Sequence, residues 1–263
     1  MGIIGNVESL WRYPVKSMRG HQVDAAYLGF AGFYGDRLYA IGSDAAHKGF
    51  PYLTGREQRK MVLFNPRFRH PDLAALPPNL ADADSLAPGI TPVYPEPADL
   101  AVDIETPSGA TLAIDDPRLM EELTHNIGRD HKLSILRSDR ALTDCRPVSM
   151  CSLATAAQLG DELGKAIDKR RFRANLYLDL EGAAGYAENG FVGKTLRIGE
   201  KVQVAVLERD PRCAMITLDP DTAERDPSVL KKVTDAHEGY AGVYAAVLVE
   251  GVVKAGDAVQ LLS

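Results

Sequence analysis

The sequence predicts a mainly β (α+β) protein, a β-barrel or sandwich with a few short helices. Most of its regular stretches are short runs of β-branched and aromatic residues separated by Gly, Pro or Asp. Helical patterns are few, and they do not alternate one-to-one with the strand-like runs. This order is typical of barrels and sandwiches and argues against a doubly wound parallel sheet.

The composition is that of an ordinary globular protein. The 263 residues are 45% apolar and 25% charged, enough for one large domain or two small ones. The net charge of −6 argues against a wide basic face for nucleic acid or anionic lipid. No apolar run approaches the roughly 20 residues that span a bilayer, and the N-terminus does not resemble a signal peptide. Three cysteines without a C-x-x-C pair favour a reducing compartment, so we expect a cytoplasmic protein.

The first half of the chain contains strand-like runs and one proline-rich stretch. Strands are predicted at 3–13, 22–28, 37–41, 101–105 and 110–114. Residues 66–97 contain eight prolines and little periodicity. Because proline cannot donate to a sheet ladder, this stretch is predicted to be a long loop or a partly disordered excursion.

Two helices in the second half have clear end signals. Asp116 is suited to cap the first, which has Pro117 at its first position and Gly128 at its end. The second begins after Ser152 as N-cap and ends near Gly164. A third, short helix is predicted at 228–235, and strands are predicted at 132–136, 173–180, 194–198, 201–207, 214–218, 243–249 and 258–262.

Three common chemistries find no support in the motifs. The stretch 190–195 resembles a phosphate-binding P-loop, but Glu188 stands where the first glycine is required, and a strand follows instead of a helix. It is predicted to be a turn before a strand. The six histidines are scattered, which argues against a zinc or non-haem iron site. No G-x-S-x-G sequence supports a serine hydrolase.

Cys213 follows an arginine-rich corner in the stretch Leu-Glu-Arg-Asp-Pro-Arg-Cys-Ala-Met at 207–215. Neighbouring cations stabilise a thiolate, which is both the nucleophile and the metal-binding form of cysteine. A soft thiolate favours sulfur-loving metals, and with one cysteine the other ligands have to come from a cofactor. The alternative is a buried, inert cysteine that starts a strand, and the residues alone leave the two interpretations equal. Cys145 and Cys151 lie in apolar strand-like stretches and are predicted to be structural.

Two further polar clusters allow a binding role or none. Residues 169–173 form a charge cluster of the kind that usually marks a solvated face. Arg173, however, stands at the mouth of a predicted strand, where arginine can bind a carboxylate or phosphate through two hydrogen bonds. Lys16 and Ser17 follow the first strand and place a cation beside a hydroxyl. From the residues alone, an exposed loop lysine is favoured there.

Five short motifs, in their order along the chain, resemble the MOSC family of molybdenum-cofactor-binding β-barrel proteins. They are YPVKS at 13–17, GDRLYAI at 35–41, RFRANLYL at 171–178, RDPRCAMITLDPDT at 209–222 and VVKAGDAVQLL at 252–262. The two-part layout is similar to that of the amidoxime-reducing members of the family. The resemblance implies an N-terminal β-barrel-like domain at 1–115 that includes the 66–97 loop, a connecting helix and strand at 116–138, and a MOSC domain at 139–263.

The resemblance also implies a bound molybdenum–molybdopterin cofactor, with no pyridoxal phosphate. It makes Cys213 the protein's sulfur ligand to the metal and gives Asp144 a part in proton delivery. Donors to the phosphate and pterin are implied at Lys16, Ser17, Arg37, Ser152, Arg173, Arg212 and Tyr244. The sequence gives an independent reason to expect Ser152 at an anion-binding site, because an N-cap places the free N–H groups of its helix beside any bound anion.

The reductive members of the family reduce small N-hydroxylated compounds, so the resemblance implies a molybdenum-dependent oxidoreductase. The chain lacks the C-x₄-C-x₂-C pattern of a plant-type ferredoxin domain, and electrons are therefore expected from a separate electron-transfer protein. Two alternatives stay open: a cofactor carrier without catalysis, and a sulfur-transfer protein with a persulfide on Cys213. The cations Lys16, Arg37 and Arg173 favour cofactor binding, since a persulfide does not require them. We expect a monomer without nucleic-acid or membrane partners.

Overall fold

The protein is mainly β in a computed structural model that describes residues 2–80, 96–125, 127 and 131–262. Its strands in chain order are β1 Gly2–Arg12, β2 His21–Val23, β3 Ala25–Gly29, β4 Gly32–Phe33, β5 Tyr39–Ser43, β6 Asn65–Phe68, β7 Val102–Glu105, β8 Thr111–Ala113, β9 Leu133–Arg137, β10 Val148–Ser152, β11 Leu176–Leu180, β12 Thr195–Ile198, β13 Val202–Pro211, β14 Tyr240–Val249, β15 Gly251–Lys254 and β16 Ala258–Leu261. The α-helices of the described part are α1 Pro117–Thr124, α2 Leu153–Leu163 and α3 Pro227–His237. The predicted fold class is confirmed.

Seven strands close into a barrel around one hydrophobic core. Their order is β11–β10–β14–β13–β12–β16–β1, and β1 pairs with β11 to complete the ring. Apolar side chains from all sides of the ring meet inside, among them Leu10, Val148, Leu176, Val204 and Val243. The first strand of the chain is thus an integral part of a barrel whose other strands all come from its second half.

β1 approaches β11 very closely at Gly5. A Cβ atom at this position would overlap the carbonyl oxygen of Asp179 and lie 2.8 Å from Cα of Leu180. The register between β1 and β16 also shifts next to Gly5. Only a residue without a side chain allows the strand to close the barrel at this point.

Three smaller sheets lie beside the barrel and share a second hydrophobic core. Their orders are β15–β3–β4, β5–β9 and β6–β7–β8. Leu38, Met61, Ile104 and Leu119 are fully buried in this core. β15 comes from the C-terminal part of the chain and pairs with β3. Each half of the chain therefore contributes a strand to the sheet of the other.

The helix starts are confirmed by their caps. The Asp116 side chain accepts a hydrogen bond from the amide of Arg118, and the Ser152 side chain accepts one from the amide of Thr155. The predicted end of the first helix at Gly128 lies outside the described residues, and α1 ends at Thr124. Within the described ranges, no helix combines the length and apolar composition needed to cross a bilayer.

The predicted strand at 214–218 is wrong. This run is a 3₁₀ helix, Ala214–Thr217. The Thr217 hydroxyl donates to the Ala214 carbonyl at 2.7 Å, so the backbone turns directly after Cys213. The β-branched residues that suggested a strand are buried by tertiary packing.

The proline-rich stretch 66–97 is not a loop throughout. Its first residues belong to β6, where Pro66 lies opposite Ile104 of β7. β6 is an edge strand, so the missing N–H of proline is tolerated there. The prolines at 88, 92 and 95 lie outside the described residues. By contrast, β10 was not predicted, because its sequence Val-Ser-Met-Cys-Ser alternates weakly although it is buried throughout.

Candidate functional site

One cavity brings together most of the residues that the sequence singles out. It lies between the segments around Lys16 and Arg37 and the ends of β10, β13 and β14. The lining residues are Lys16, Ser17, Arg37, Thr143, Asp144, Arg146, Ser149, Phe172, Arg173, Asn175, Asp210, Pro211, Arg212, Cys213, Met215 and Tyr244. Five of these side chains are cationic and two are carboxylates, so the lining is net positive.

Lys16 is a buried cation whose position is fixed by acceptors. Its Nζ donates to the Leu142 carbonyl at 2.8 Å and pairs with the carboxylate of Asp144. The Asp144 side chain is 50% exposed and marks the mouth of the cavity. Burial lowers the pKa of Lys16 more than Asp144 raises it. Burial alone raises the pKa of Asp144, but Lys16 brings it below the usual value, so the carboxyl is ionised at neutral pH.

Three lining residues other than glycine have left-handed backbone conformations. The φ angles are 66° at Ser17, 46° at Arg37 and 53° at Arg173. Such a conformation costs roughly 1 kcal/mol or more for a residue with a side chain. The surroundings hold it in place, as where the Arg37 amide donates to the Tyr13 carbonyl at 2.6 Å. Backbone strain concentrated around one cavity is typical of a functional site.

Arg37 and Arg173 both lie over the ring of Tyr13, with guanidinium-to-centroid distances of 4.6 and 4.4 Å. Arg37 pairs with the buried carboxylate of Asp36 and donates to the Arg173 carbonyl at 3.0 Å. Arg173 donates to the Met18 carbonyl at 2.7 Å, and in the described part of the chain no carboxylate forms an ion pair with it. Burial lowers the pKa of Arg173. A largely buried cation without an ion-pair partner indicates a cavity suited to an anion.

Arg212 lies on the Cys213 side of the cavity. It pairs with the buried Asp210 and donates to the Phe172 carbonyl at 2.6 Å. Its Nε is buried without a hydrogen-bond partner among the described residues. Burial raises the pKa of Asp210 to about 6, although Arg212 acts against it. Burial also raises the pKa of Tyr244, so this phenol stays protonated and can donate a hydrogen bond.

Cys213 is partly exposed and lines the cavity at the start of the 3₁₀ helix. Cys151 is buried in β10, and burial raises its pKa well above the usual value, so it is inert as predicted. Cys145 contradicts its predicted apolar strand context, because it is exposed and donates to Glu208 at 3.1 Å. Among the described residues, no three His, Cys, Asp or Glu side chains are grouped so as to hold a metal ion. A metal at Cys213 would therefore need further ligands from a bound group.

Ser152 does not line the cavity, which corrects the expectation for this residue. The N-terminus of α2 faces the carboxylate of Glu188 instead. Glu188 accepts hydrogen bonds from the Ser152 amide at 3.1 Å, the Ser152 hydroxyl at 2.8 Å and the Thr155 hydroxyl at 2.7 Å. The anion expected at this helix start is thus a side chain of the protein itself.

Replacing Glu188 with Ala is expected to lower the free energy of unfolding by about 2 kcal/mol, because three buried donors lose their acceptor. Glu188→Gln keeps the size and one acceptor oxygen, so its loss is expected to be about half as large. Urea unfolding of the two variants measures both values. A loss in Glu188→Ala with almost none in Glu188→Gln would show that packing, and not hydrogen bonding to the charged carboxylate, gives Glu188 its effect.

Sequence reasoning missed several polar residues of the cavity, among them Ser149 and Asn175. The Ser149 hydroxyl donates to the Asn175 side-chain oxygen at 3.2 Å, and the Asn175 amide donates to the Ser149 hydroxyl at 3.1 Å. Asn175 stands two residues after Arg173 in the motif RFRAN, which was a usable signal. No signal in the sequence pointed to Ser149, because the strand that carries it was not among the predicted strands.

Comparison with known proteins identifies the family. Residues 4–119 match the MOSC N-terminal beta barrel domain, and residues 137–260 match the MOSC domain. Mitochondrial amidoxime reducing component 2 of Bos taurus is 29% identical, over 85% of this chain and 69% of that protein. Mitochondrial amidoxime-reducing component 1 of Mus musculus is 25% identical, over 98% of this chain and 83% of that protein. The crystal structure of the YuaD protein from Bacillus subtilis is similar with a TM-score of 0.48 at 12% identity, over 98% of this chain and 96% of that one. Since the two family matches together take in most of its length, the chain belongs to the MOSC family.

Proposed function

We propose that the cavity binds molybdenum–molybdopterin, with Cys213 as the protein's sulfur ligand, and that the protein reduces small N-hydroxylated compounds. The observation that carries this proposal is the concentration of buried and largely buried cations around one cavity beside a partly exposed thiol. The cations are Lys16, Arg37, Arg173 and Arg212. The names of the relatives, amidoxime reducing components, support the reaction class.

The residues present fit such a cofactor. Arg173 has no carboxylate partner and Arg212 has an unpaired buried Nε in the described part of the chain, and a phosphate would satisfy both. Ser149 and Asn175 add polar side chains to the lining beside these cations. A cysteine thiolate suits a metal that prefers sulfur ligands.

The cofactor, when bound, supplies the two-electron chemistry. Reduction of an N–OH compound consumes two electrons and two protons, breaks the N–O bond and releases water together with the N–H compound. We propose that a separate electron-transfer protein provides the electrons. The Lys16–Asp144 pair connects the buried cavity with its exposed mouth, so it is suited to pass protons inward from solvent.

The test is the molybdenum content of protein made in a host that synthesises the cofactor. About one metal per chain is expected in the wild type. In Cys213→Ser the content is expected to fall several-fold, and not to zero, because the cations that hold the phosphate remain. Cys145→Ser is the matched control, since it removes an exposed thiol outside the lining and is expected to keep the metal.

The outcomes separate the alternatives. Metal-loaded protein that reduces no N-hydroxylated compound with any electron donor would favour a cofactor carrier. Folded protein without molybdenum in the wild type would refute cofactor binding. A persulfide on Cys213, detected by mass spectrometry, would then be the next observation to seek.

A further inference from the structure

We propose that a second pocket beside the cavity binds the body of the substrate, and that Arg56 makes the protein prefer substrates that carry a carboxylate. This inference rests on the proposed function. The pocket, here called the aromatic pocket, has a volume of about 410 Å³ and is lined by Ala45, Phe50, Tyr52, Leu53, Arg56 and His131, among others. Its size and mixed lining suit a small organic molecule.

The aromatic pocket adjoins the cofactor cavity on the Lys16 side. The Nζ of Lys16 lies 5.3 Å from the ring centroid of Phe50 and 4.8 Å from that of Tyr52. Lys16 lines the first cavity, whereas the two rings line the second. The charge of Arg56 also helps to lower the pKa of Asp144 at the cavity mouth. A molecule seated in the aromatic pocket therefore lies next to that mouth.

The loop that carries Arg56 is also packed against the Cys213 segment. Gly55 lies so close to Met215 that a Cβ atom would come within 2.6 Å of its sulfur. Arg225 donates to the Arg56 carbonyl at 2.5 Å. Met215 is two residues after Cys213, so these contacts hold the backbone of the Arg56 loop against the Cys213 segment. Packing therefore sets the position of Arg56 relative to the reaction centre.

The lining provides an aromatic surface with an unpaired cation at its side. The rings of Phe50 and Tyr52 are perpendicular, with centroids 5.0 Å apart. Arg56 lies 4.6 Å over the Phe50 ring, which orients its guanidinium. Such surroundings favour a planar, aromatic substrate body.

Arg56 is free to bind an anion. Its Nε donates to the Thr54 hydroxyl at 3.2 Å, while its Nη atoms have no acceptor among the described residues. The neighbouring Glu57 also lines the pocket, but no ion pair joins it to Arg56, and its carboxylate accepts from the amide and hydroxyl of Thr54 at 3.0 and 2.6 Å. A guanidinium with both Nη groups free can bind a carboxylate through two parallel hydrogen bonds. The chemistry therefore points to aromatic N-hydroxylated compounds with a carboxylate on the ring.

The test compares 4-carboxybenzamidoxime with unsubstituted benzamidoxime in metal-loaded protein. Arg56→Gln is expected to raise KM for the carboxylated compound roughly tenfold with little change in kcat, because the lost pair acts on binding. KM for the neutral compound is expected to rise by a far smaller factor. Arg59→Gln is the matched control, because Arg59 is exposed, carries the same charge and lies outside the aromatic pocket.

A second readout does not need turnover. Binding of 4-carboxybenzamidine, which has no N–OH group to reduce, is measured by calorimetry, and Arg56→Gln is expected to weaken it by a similar factor of roughly ten. Unchanged binding in Arg56→Gln would overturn the inference, as would loss of molybdenum from that variant, which would place Arg56 on the cofactor. If metal-loaded wild type reduces neither amidoxime, the proposed function fails, and the calorimetry alone decides on the pocket. Equal KM effects on both compounds would refute the carboxylate preference and leave the proposed function intact.

Discussion

Arg173→Met is expected to weaken cofactor binding by more than tenfold and yet to make the empty protein more stable by about 1 kcal/mol. Arg173 is a largely buried cation with which no carboxylate forms an ion pair in the described part of the chain, and burial lowers its pKa. In the protein without cofactor, the charge of Arg173 therefore destabilises the fold. When an anionic phosphate is bound, the guanidinium group of Arg173 donates strong, charge-assisted hydrogen bonds to it.

Two measurements on this variant test the expected loss of cofactor affinity and the expected gain in stability. Molybdenum content after dialysis reports cofactor affinity, and urea unfolding of protein from a host without cofactor synthesis reports the stability of the empty fold. Arg171→Met is the matched control, since Arg171 is already paired with Asp219 at 2.9 Å and donates to the Thr217 carbonyl at 2.9 Å. The control is expected to lose stability and keep the metal. A destabilised Arg173→Met that still retains the metal would show that Arg173 is structural.

Gly5→Ala is expected to cause the largest loss of stability, about 3 kcal/mol, or a fall in Tm of roughly 6–12 °C for a chain of this size. The added methyl group would overlap the backbone of Asp179 and Leu180, which cannot rotate away as a side chain can. β1 would have to move off β11, and the barrel would open at that seam.

Thermal unfolding followed by circular dichroism measures this effect. Gly2→Ala is the matched control, because nothing lies within 4 Å of a Cβ atom at Gly2 of the same strand. The control is expected to unfold within about 1 °C of the wild type. Equal melting temperatures for the two variants would mean that β1 adjusts its path without cost.

The parts of the fold that could be predicted are those fixed by local chemistry. Asp116 and Ser152 cap their helices as the sequence indicates, because a cap depends on residues two or three positions away. The run 214–218 was misjudged because its β-branched residues favour a strand, whereas tertiary packing buries them in a 3₁₀ helix. The bounds of β10 could not be foreseen, since a short strand of mixed polar and apolar residues is stabilised by its neighbours β11 and β14 and not by its own pattern.

The candidate site divides in the same way. Motif resemblance singled out Lys16, Arg37 and Arg173, and the structure brings their side chains to one cavity. The left-handed backbone of these segments and the pairing of Arg212 with Asp210 depend on long-range contacts that no sequence spacing encodes. Ser152 was misplaced because its helix start attracts an anion, and only the three-dimensional fold reveals that Glu188 supplies it.

The exchange of strands between the two halves has a consequence for how the chain folds during synthesis. β1 leaves the ribosome long before its hydrogen-bonding partners β11 and β16, which begin at Leu176 and Ala258. β3 is likewise synthesised long before its partner β15. Contacts between such distant parts of the chain form slowly, and unpaired strand edges promote aggregation until their partner strands are present. Nascent chains of this protein are therefore exposed to aggregation until β11, β15 and β16 have been synthesised, and a chaperone that shields β1 would protect the chain during that interval.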